Sequence, residues 1–419
     1  MKIALVYPKS TFLSDPLVWM PLGLFYLGAQ IEAQGHLCEF FDLSTDELPE
    51  DGEFDQMWVS STSPQIAEVR RIGNIVRDWT RTKTVLGGAG AWANPATHFE
   101  LGYNMIVVGE ADHLDDIKFI VDILENTPFP TSAMSYTTQL HKTLDWVLPP
   151  IRRWSLRYRS SMRGYKMTSI FTTRGCPMSC AFCESGRHGV IWGGMVRYEP
   201  LDVVEAQIKE SKSLGFTGLA YYDDIFILNK QRTRKMLELH RKYDMRFRCF
   251  LRSDILIKHG GKEYLKELQD GGLIEIFVGV ESADNQIKNN IHKGTTIEQD
   301  TLVLQWCREL GIVCKMSFIL GLPGESLESM EKTADWIFKN KPDRVQVDRL
   351  IPFPGTPLTD HAEDYDLTYE TQPDEEFFFK GRMDLDSHSF VSTSNLSVDE
   401  IDQFWFALNL DLKLQGLSS

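Results

Sequence analysis

Two long stretches of the chain alternate short apolar runs with segments of helical period, and this alternation restricts the possible folds more than any other feature. In the first 125 residues the strand-like runs are residues 2–7, 37–43, 57–62, 84–86 and 105–108. The first of them is a continuous apolar run, as in a strand that is buried on both faces. Parallel strands separated by helices predict an α/β fold, so we expect residues 1–125 to form a doubly wound, Rossmann-like domain.

The alternation fails between residues 126 and 166, where four prolines and a group of arginines predict a linker. It resumes in residues 167–358, with predicted strands at 168–172, 218–222, 246–251, 274–280, 313–320 and 344–350. Six β/α units are fewer than the eight of a closed barrel, so we expect a partial (β/α)6 barrel. Residues 359–419 are predicted to form a small α-helical capping segment whose last helix begins at Ser397.

Charge and hydropathy exclude several classes of partner. The chain has 419 residues, with 44 basic and 59 acidic side chains and a net charge of −15. Proteins that bind nucleic acid usually carry a basic stripe, so this charge disfavours a nucleic-acid partner. No apolar run reaches the ~18 to 20 residues that cross a bilayer. We therefore expect a cytoplasmic protein that has no membrane partner and acts on a small-molecule or peptide substrate.

Three of the seven cysteines, Cys176, Cys180 and Cys183, lie within eight residues on the loop after the first predicted barrel strand. Three thiolates on one loop can bind three irons of a [4Fe–4S] cluster and leave the fourth iron without a cysteine ligand. The alternative is a zinc site, for which His188 is the nearest candidate for a fourth ligand. The other four cysteines are scattered through the chain, which favours the cluster over zinc.

The C-x3-C-x2-C loop, with an aromatic residue directly before its third cysteine, resembles the radical S-adenosylmethionine (radical SAM) superfamily over about residues 167–358. The resemblance implies that the open iron holds SAM, that reductive cleavage gives a 5′-deoxyadenosyl radical, and that a flavodoxin or ferredoxin supplies electrons. It assigns no catalytic residue beyond the cluster and SAM. Residues at the strand ends match positions near SAM in that superfamily. These are Phe182, Asp223, Arg252, Ser253, Glu281, Ser282, Gly321 and Pro352.

Ordinary structural roles remain open for some of these positions. A place in the core is an equal alternative for Phe182. A solvated turn is the alternative for Asp223, and a tight turn is the alternative for Gly321.

The first domain resembles the cobalamin-binding domain that is fused to many radical SAM enzymes. The resemblance rests on strand ends that carry glycine, hydroxyl or acidic residues: Ser60, Ser61, Thr62, Gly87, Gly88, Gly109 and Glu110. Residues 8–16 lack the Asp-x-His-x-x-Gly sequence, so no histidine is placed to ligate cobalt from below. This departure leaves a vestigial domain open as an alternative to cobalamin binding.

Together these patterns predict a cobalamin-dependent radical SAM methyltransferase that acts on an unactivated carbon. One alternative keeps the radical chemistry without methyl transfer, as in a rearrangement, cyclisation, dehydrogenation or epimerisation. A more remote alternative is a non-catalytic corrinoid or Fe–S carrier.

Overall fold

A computed structural model describes residues 1–10, 13, 15–130, 132–186, 189, 191–370 and 388–418 of the chain. His188, the candidate zinc ligand, lies outside the described residues. The chain divides into two compact units. The first unit comprises residues 1–169 and 197–216, and the second comprises residues 170–196 and 217–419.

The described chain is rich in short strands, which we number in chain order. They are β1 Lys2–Tyr7, β2 Leu37–Asp42, β3 Gln56–Ser60, β4 Lys83–Gly87, β5 Met105–Val108, β6 Met134–Thr137, β7 Ser160–Met162, β8 Tyr165–Ile170, β9 Thr173–Arg174, β10 Arg197–Tyr198, β11 Gly218–Tyr221, β12 Arg246–Leu251, β13 Leu273–Glu281, β14 Val313–Leu320, β15 Arg344–Arg349, β16 Thr368–Tyr369 and β17 Val391–Ser392.

The α-helices, numbered in the same way, separate most of these strands. They are α1 Leu22–Ala33, α2 Ile66–Val76, α3 Ala89–Ala93, α4 Pro95–His98, α5 Leu114–Asn126, α6 Leu201–Ser213, α7 Lys230–Tyr243, α8 Ser253–Lys258, α9 Gly261–Asp270, α10 Asn285–Asn290, α11 Ile297–Leu310, α12 Leu327–Asn340, α13 Pro357–Asp360 and α14 Val398–Leu414. Short 3-10 helices lie at Pro16–Val18, Ser63–Gln65, Arg152–Arg157 and Ala362–Tyr365. No helix among the described residues is both long and apolar enough to cross a membrane.

The sheet of the first unit has the strand order β2-β1-β3-β4-β5-β6, and all its pairs are parallel. β1 pairs with both β2 and β3, so the order reverses there, as at the switch point of a doubly wound sheet. Residues 3–6 of β1 are completely buried, which explains their uninterrupted apolar sequence. The predicted Rossmann-like fold is confirmed.

The segment predicted as a linker contains a sixth strand of this sheet. β6 pairs with β5 in parallel, from Met105 opposite Met134 to Val108 opposite Thr137. Its residues are only half-buried or exposed, as on a sheet edge, so no apolar run marks it in the sequence. The same segment buries Arg152 completely, and its guanidinium donates hydrogen bonds to the Ser169 carbonyl and the Gln207 side chain. Residues 126–166 thus belong to the first compact unit.

The six strands predicted for the barrel are present as β8 and β11–β15. In the second unit the strand order is β15-β14-β13-β12-β11. β7 and β8 form an antiparallel hairpin. The pairs from β11 to β15 are parallel, as a partial (β/α)6 barrel requires. The boundary between the two units falls near the end of β8. The predicted fold class is therefore confirmed for the second unit as well.

The C-terminal helix closes the β15 edge of this sheet. α14 begins after Ser397, as predicted, with a capping box in which Ser397 and Glu400 bond to each other's backbone N–H groups. The Trp405 indole N–H donates to the Val347 carbonyl at 2.9 Å, and the Leu417 carbonyl accepts from the Val345 N–H at 2.7 Å. The tail therefore covers the N–H and C=O groups of an edge strand.

We expect Gly73→Ala to destabilise the protein. A Cβ atom at this position of α2 would lie 1.8 Å from the Leu101 carbonyl oxygen, so the helix would have to shift. The expected loss in the free energy of unfolding is about 1–3 kcal/mol, measured by urea denaturation. Gly23→Ala in α1 is the control, because its Cβ would meet nothing within 4 Å and alanine is the better helix former. Equal effects of the two substitutions would contradict the packing argument.

Candidate active site

The cysteine loop, residues 171–186, leaves the carboxyl end of β8 and is bonded to neighbouring loops of the second unit. The Cys176 N–H donates to the Ser185 carbonyl at 3.2 Å, which closes the loop on itself. The Ala181 N–H donates to Ile291, and the Ala181 carbonyl accepts from Leu358 at 3.1 Å. Loops that follow β13 and β15 therefore position the middle of the cysteine loop.

Two adjacent aspartates at the end of β11 hold the start of this loop. Asp223 is completely buried, and one of its oxygens accepts from the backbone N–H groups of Thr172 at 2.6 Å and Thr173 at 3.0 Å. Its other oxygen accepts from the Thr172 hydroxyl. Asp224 accepts hydrogen bonds from Ser185 and from the Gly175 backbone, while burial raises the pKa of its carboxyl to about 6. Asp223, predicted near SAM, thus has the loop itself as its partner.

The cysteine thiols lie in a poorly solvated environment. Burial raises the pKa of Cys176 to about 11 and that of Cys183 to about 12, and the nearby Asp224 carboxyl adds to both shifts. Thiolates here require a compensating positive charge, which bound iron would provide. The other cysteines lie on other elements: Cys38 on β2, Cys249 on β12, Cys307 on α11 and Cys314 on β14. Three soft sulfur donors on one loop fit an iron–sulfur cluster.

Zinc fits this loop less well. Zn–S bonds of ~2.3 Å in a tetrahedral site bring sulfur atoms to within ~4 Å of one another. Among the described His, Cys, Asp and Glu side chains, only one group has all its ligand atoms within 4.8 Å, and that group contains no cysteine. Cys176, Cys180 and Cys183 therefore do not form such a group in the described part of the chain.

Arg252 lies beside the second cysteine. Its Nη1 donates to the Cys180 sulfur at 3.5 Å, and Nη2 donates to the Lys293 carbonyl. Nε and Nη2 form a fork with the Asp254 carboxylate at 3.1 and 3.2 Å. Arg252, predicted near SAM, thus already forms a fork with a neighbour two residues away.

Glu281 and Lys293 form a buried ion pair close to the same cysteine. Glu281 ends β13 with φ of +70°, at a register shift between β13 and β14, and its Oε1 lies 2.6 Å from Lys293 Nζ. Burial lowers the pKa of Lys293, but the negative charges of Glu281 and Cys180 raise this pKa by more than burial lowers it, so the net shift is upward. Lys293 Nζ also lies 5.8 Å from the Phe182 ring centroid. Glu281 and Phe182, predicted near SAM, therefore lie together beside the cysteine loop.

The remaining predicted SAM residues support the strand-end loops. Ser253 is completely buried and donates to Asp300 at 2.6 Å, and Ser282 accepts from the Asp284 N–H at 3.1 Å. Gly321, with φ of +82°, begins a turn, and its backbone N–H donates to the Glu325 carboxyl group at 2.8 Å. Pro352 is buried in the loop that follows β15. These contacts match the tight-turn alternative for Gly321.

Sequence reasoning missed Lys293, which lies beside the cysteine loop. A buried carboxylate such as Glu281 needs a partner, so the sequence could have indicated that a basic residue lies beside it. The distance along the chain to Lys293 concealed which residue this is.

In the first unit, the predicted cobalamin residues lie at the carboxyl ends of β3, β4 and β5. Ser61 is completely buried, and its hydroxyl lies 2.9 Å from His98 Nε2. Thr62 donates to Gln65, which in turn donates to the Pro8 carbonyl at 2.7 Å. These bonds connect the loops after β1 and β3, the two strands of the switch point.

The glycines of this edge allow close approach of the backbone. A Cβ atom at Gly88, where φ is +101°, would lie 2.6 Å from the Ser61 carbonyl oxygen. Gly88 itself is exposed, while Ser60 and Gly87 are half-buried. Gly109 has φ of +110° and is close to the Thr138 hydroxyl. Backbone without side chains is therefore presented at the strand ends, where doubly wound sheets bind ligands.

Glu110, also predicted near cobalamin, forms a buried bidentate ion pair with Arg197. The two N···O distances are 2.6 and 2.8 Å, and Arg197 is 2% exposed. The structure thus gives this carboxylate an internal partner.

Comparison with known proteins agrees with this geometry. Residues 170–337 match the radical SAM superfamily. This part of the chain belongs to that superfamily. The chain is 24% identical over 363 residues to the bacteriochlorophyllide d C-8(2)-methyltransferase of Chlorobaculum tepidum, covering 82% of this chain and 75% of that protein. It is 30% identical over 200 residues to an uncharacterized methyltransferase of Pyrococcus horikoshii, covering 46% of this chain and 41% of that protein.

A solved structure shares the fold. TsrM of Kitasatospora setae is a radical S-adenosylmethionine methyltransferase whose structure contains cobalamin and a [4Fe-4S] cluster. The TM-score is 0.69 at 18% sequence identity, and the match covers 97% of this chain and 90% of TsrM.

We expect Lys293→Met to destabilise the radical SAM domain strongly, because it leaves the buried Glu281 carboxylate without its cation. Breaking such a pair costs about 3–5 kcal/mol in the free energy of unfolding. Adding Glu281→Gln should recover much of the loss, since the double variant has no buried charge at this position. The matched control is Lys332→Met, whose exposed pair with Asp284 at 2.8 Å should contribute about 1 kcal/mol or less. A double variant that is no more stable than Lys293→Met would refute the argument.

Glu325 should make stability depend on pH. Burial raises the pKa of its carboxyl to about 8, so the folded protein keeps a proton that the unfolded chain releases above about pH 4.5. Stability from this group is therefore greatest below about pH 4.5 and falls as the pH rises towards 8. Glu325→Gln should flatten this decline when urea midpoints are compared at pH 5, 6.5 and 8. Glu328→Gln, at an exposed site of α12, should retain the wild-type slope.

Proposed function

We propose that this radical SAM enzyme is a cobalamin-dependent methyltransferase that acts on an unactivated carbon of a small-molecule or peptide substrate. The observation that carries the proposal is the loop with three cysteines, two of them with desolvated thiols, at the strand ends of a radical SAM domain. A doubly wound sheet with exposed glycine backbone at its carboxyl edge accompanies this domain in the same chain. The methyltransferase names of two of its relatives support methyl transfer.

The residues of the cysteine loop fit a [4Fe–4S] cluster. Cys176, Cys180 and Cys183 would each hold one iron and leave the fourth iron for SAM. With SAM bound, such a cluster supplies the electron for reductive cleavage and thereby a radical that removes hydrogen from an unactivated carbon. The protein's part is to hold the sulfurs in a fixed, poorly hydrated loop.

Arg252 has a defined electrostatic role in this proposal. Hydrogen bonds to cluster sulfurs and nearby positive charge favour the reduced form of an iron–sulfur centre. Arg252 donates to the Cys180 sulfur at 3.5 Å, and Lys293 lies close enough to Cys180 for the thiol to raise its pKa. Because Asp254 and Glu281 offset the charges of Arg252 and Lys293, the favourable contribution to electron uptake is assigned to the Arg252 hydrogen bond to Cys180.

The carboxyl edge of the first sheet fits a flat cofactor. Ser60, Thr62, Gly87, Gly88 and Gly109 would hold cobalamin, with Gly88 presenting exposed backbone and Ser60 and Thr62 presenting hydroxyl groups. When bound, cobalamin supplies the carrier for a methyl group. Glu110 is best assigned to positioning the β5 end through its ion pair with Arg197.

Two partners complete the proposal. The substrate is a small molecule or a peptide, in keeping with the net charge of −15, which disfavours nucleic acid. A low-potential electron donor such as a flavodoxin or ferredoxin supplies the electrons in the cytoplasm.

The cluster assignment predicts that Cys176→Ala, Cys180→Ala and Cys183→Ala each abolish SAM cleavage. After anaerobic reconstitution with iron and sulfide, the wild type should bind about four irons and release 5′-deoxyadenosine with dithionite, measured by chromatography. Each variant should lose most of its iron-dependent absorbance. Cys38→Ala, a buried cysteine on β2, is the matched control and should retain both activities. SAM cleavage that survives in the loop variants would overturn the assignment.

Methyl transfer is tested with hydroxocobalamin and methyl-labelled SAM under the same anaerobic conditions. The proposal expects stoichiometric corrinoid binding and recovery of the label with the corrinoid, together with S-adenosylhomocysteine. Corrinoid binding with 5′-deoxyadenosine but no label transfer would favour a rearrangement, cyclisation, dehydrogenation or epimerisation instead. A fully loaded cluster that never cleaves SAM would favour a carrier.

A further inference from the structure

Two histidines and an aspartate come together at the carboxyl edge of the first sheet. His113 and Asp116 lie at the start of α5, which follows β5, while His141 lies in the segment after β6. Because β5 and β6 are parallel neighbours, both segments leave the sheet on the same side. One ligand atom from each of the three side chains lies within 4.8 Å of the other two. Two imidazoles and a carboxylate are thus gathered from segments that are separate in sequence.

Asp116 is buried, and only one of its two carboxylate oxygens has a hydrogen-bond partner among the described residues. The residue is 5% exposed, and its Oδ1 accepts a hydrogen bond from the Tyr136 hydroxyl at 2.5 Å. Its Oδ2 is buried and has no hydrogen-bond partner within the described part of the chain, although it faces His141 Nε2 at 3.7 Å. A buried carboxylate is costly unless it is paired or coordinates a metal ion. This oxygen therefore points to a missing cationic ligand.

We propose that His113, Asp116 and His141 bind a divalent first-row transition metal ion, with Zn²⁺ as the reference ion. Two imidazole nitrogens and one carboxylate oxygen form a ligand set that such ions accept readily. Three protein ligands leave at least one coordination position for water. The site contains no thiolate, which separates it chemically from the cysteine loop.

Binding requires a small rearrangement of the two rings. The His113 and His141 rings stack with centroids 3.9 Å apart and planes 14° apart. Since imidazole lone pairs lie in the ring planes, the rings must tilt to direct both nitrogens at one ion. The Trp146 ring, 4.9 Å from His113 and 5.6 Å from His141, packs against both with its plane steeply inclined. A tilt of the two histidine rings would therefore change the environment of the Trp146 indole.

A carboxylate is available to support the bound state. The His113 Nδ1 atom now accepts from the Asp115 N–H at 3.2 Å and caps α5. Coordination through Nε2 puts the ring proton on Nδ1, and an Asp115 carboxylate oxygen lies 3.8 Å away to accept it. Carboxylate–histidine–metal arrangements of this kind are common around protein-bound metals. The His113 and His141 side chains are 17% and 29% exposed, so an ion can enter from solvent.

The test is an anaerobic Co²⁺ titration of the full-length chain after its iron–sulfur cluster has been assembled. We expect one equivalent to bind with weak visible ligand-field bands and without sulfur-to-cobalt charge-transfer absorption. Asp116→Asn and His141→Gln should each weaken binding by ~10-fold or more. His113→Asn should do the same while preserving the helix cap, because asparagine is a good N-cap residue. His36→Gln, elsewhere in the first unit, is the matched control and should bind like the wild type.

A second measurement separates loss of ligation from loss of folding. Co²⁺ should quench part of the tryptophan fluorescence, and this part should be absent in Trp146→Phe. Zn²⁺ should raise the Tm of the wild type but not that of Asp116→Asn, since a ligand stabilises only the state that binds it. Absence of binding, thiolate bands alone, or unchanged affinity in Asp116→Asn and His141→Gln would overturn the proposal. None of these results depends on SAM cleavage or methyl transfer.

Discussion

Burial of carboxyl groups at the ends of parallel strands is the constraint on which the second unit depends. Asp223, Glu281 and Glu325 all lie at or just after strand ends and are at most 5% exposed. Each of these carboxyl groups is stabilised in a different way. Asp223 accepts backbone N–H groups, Glu281 pairs with a lysine, and burial raises the pKa of Glu325 to about 8, so its carboxyl is largely protonated at neutral pH. These hydrogen bonds and the ion pair connect the strand ends to neighbouring backbone and side chains.

Hydrogen bonds to these and neighbouring residues hold the cysteine loop in place. Asp223 fixes its first residues, Asp224 contacts Gly175 and Ser185, and Ala181 is bonded to loops from two other strands. Fixing the loop costs conformational entropy, but those bonds stabilise it without any contribution from the thiols. The cysteines are then free to act as ligands whose desolvation iron would offset. These bonds therefore contribute to the order of the loop separately from the thiols.

The sequence predicted the strands of both sheets best where they are buried on both faces. Residues 3–6 of β1 are completely buried, and an uninterrupted apolar run identified that strand. β6 escaped prediction because half-exposed edge residues need no such run. The cysteine triad was recognisable because all three ligands share one short loop.

Residues that are distant in sequence and that only the folded sheet brings together could not be predicted in this way. Glu281 reaches Lys293 because a register shift at the end of β13 puts Glu281 in a left-handed conformation, and no local pattern encodes that shift. His113 and Asp116 are three residues apart at a helix start, a spacing that places both on one face. Their third partner, His141, lies in the segment predicted to be a linker, so the group had no signature along the chain.

The ion pair of Glu110 with Arg197 connects two strand ends of the first unit. Arg197 donates to both Glu110 oxygens after β5 and also to the His141 carbonyl after β6, at 3.1 Å. Arg197 is almost completely buried, so its donors have no water to replace either partner. A displacement of the His141 backbone must therefore be matched by movement of Arg197 or by loss of a buried hydrogen bond. Ligands that shift either strand end would affect each other's binding by the same factor, because such coupling is reciprocal.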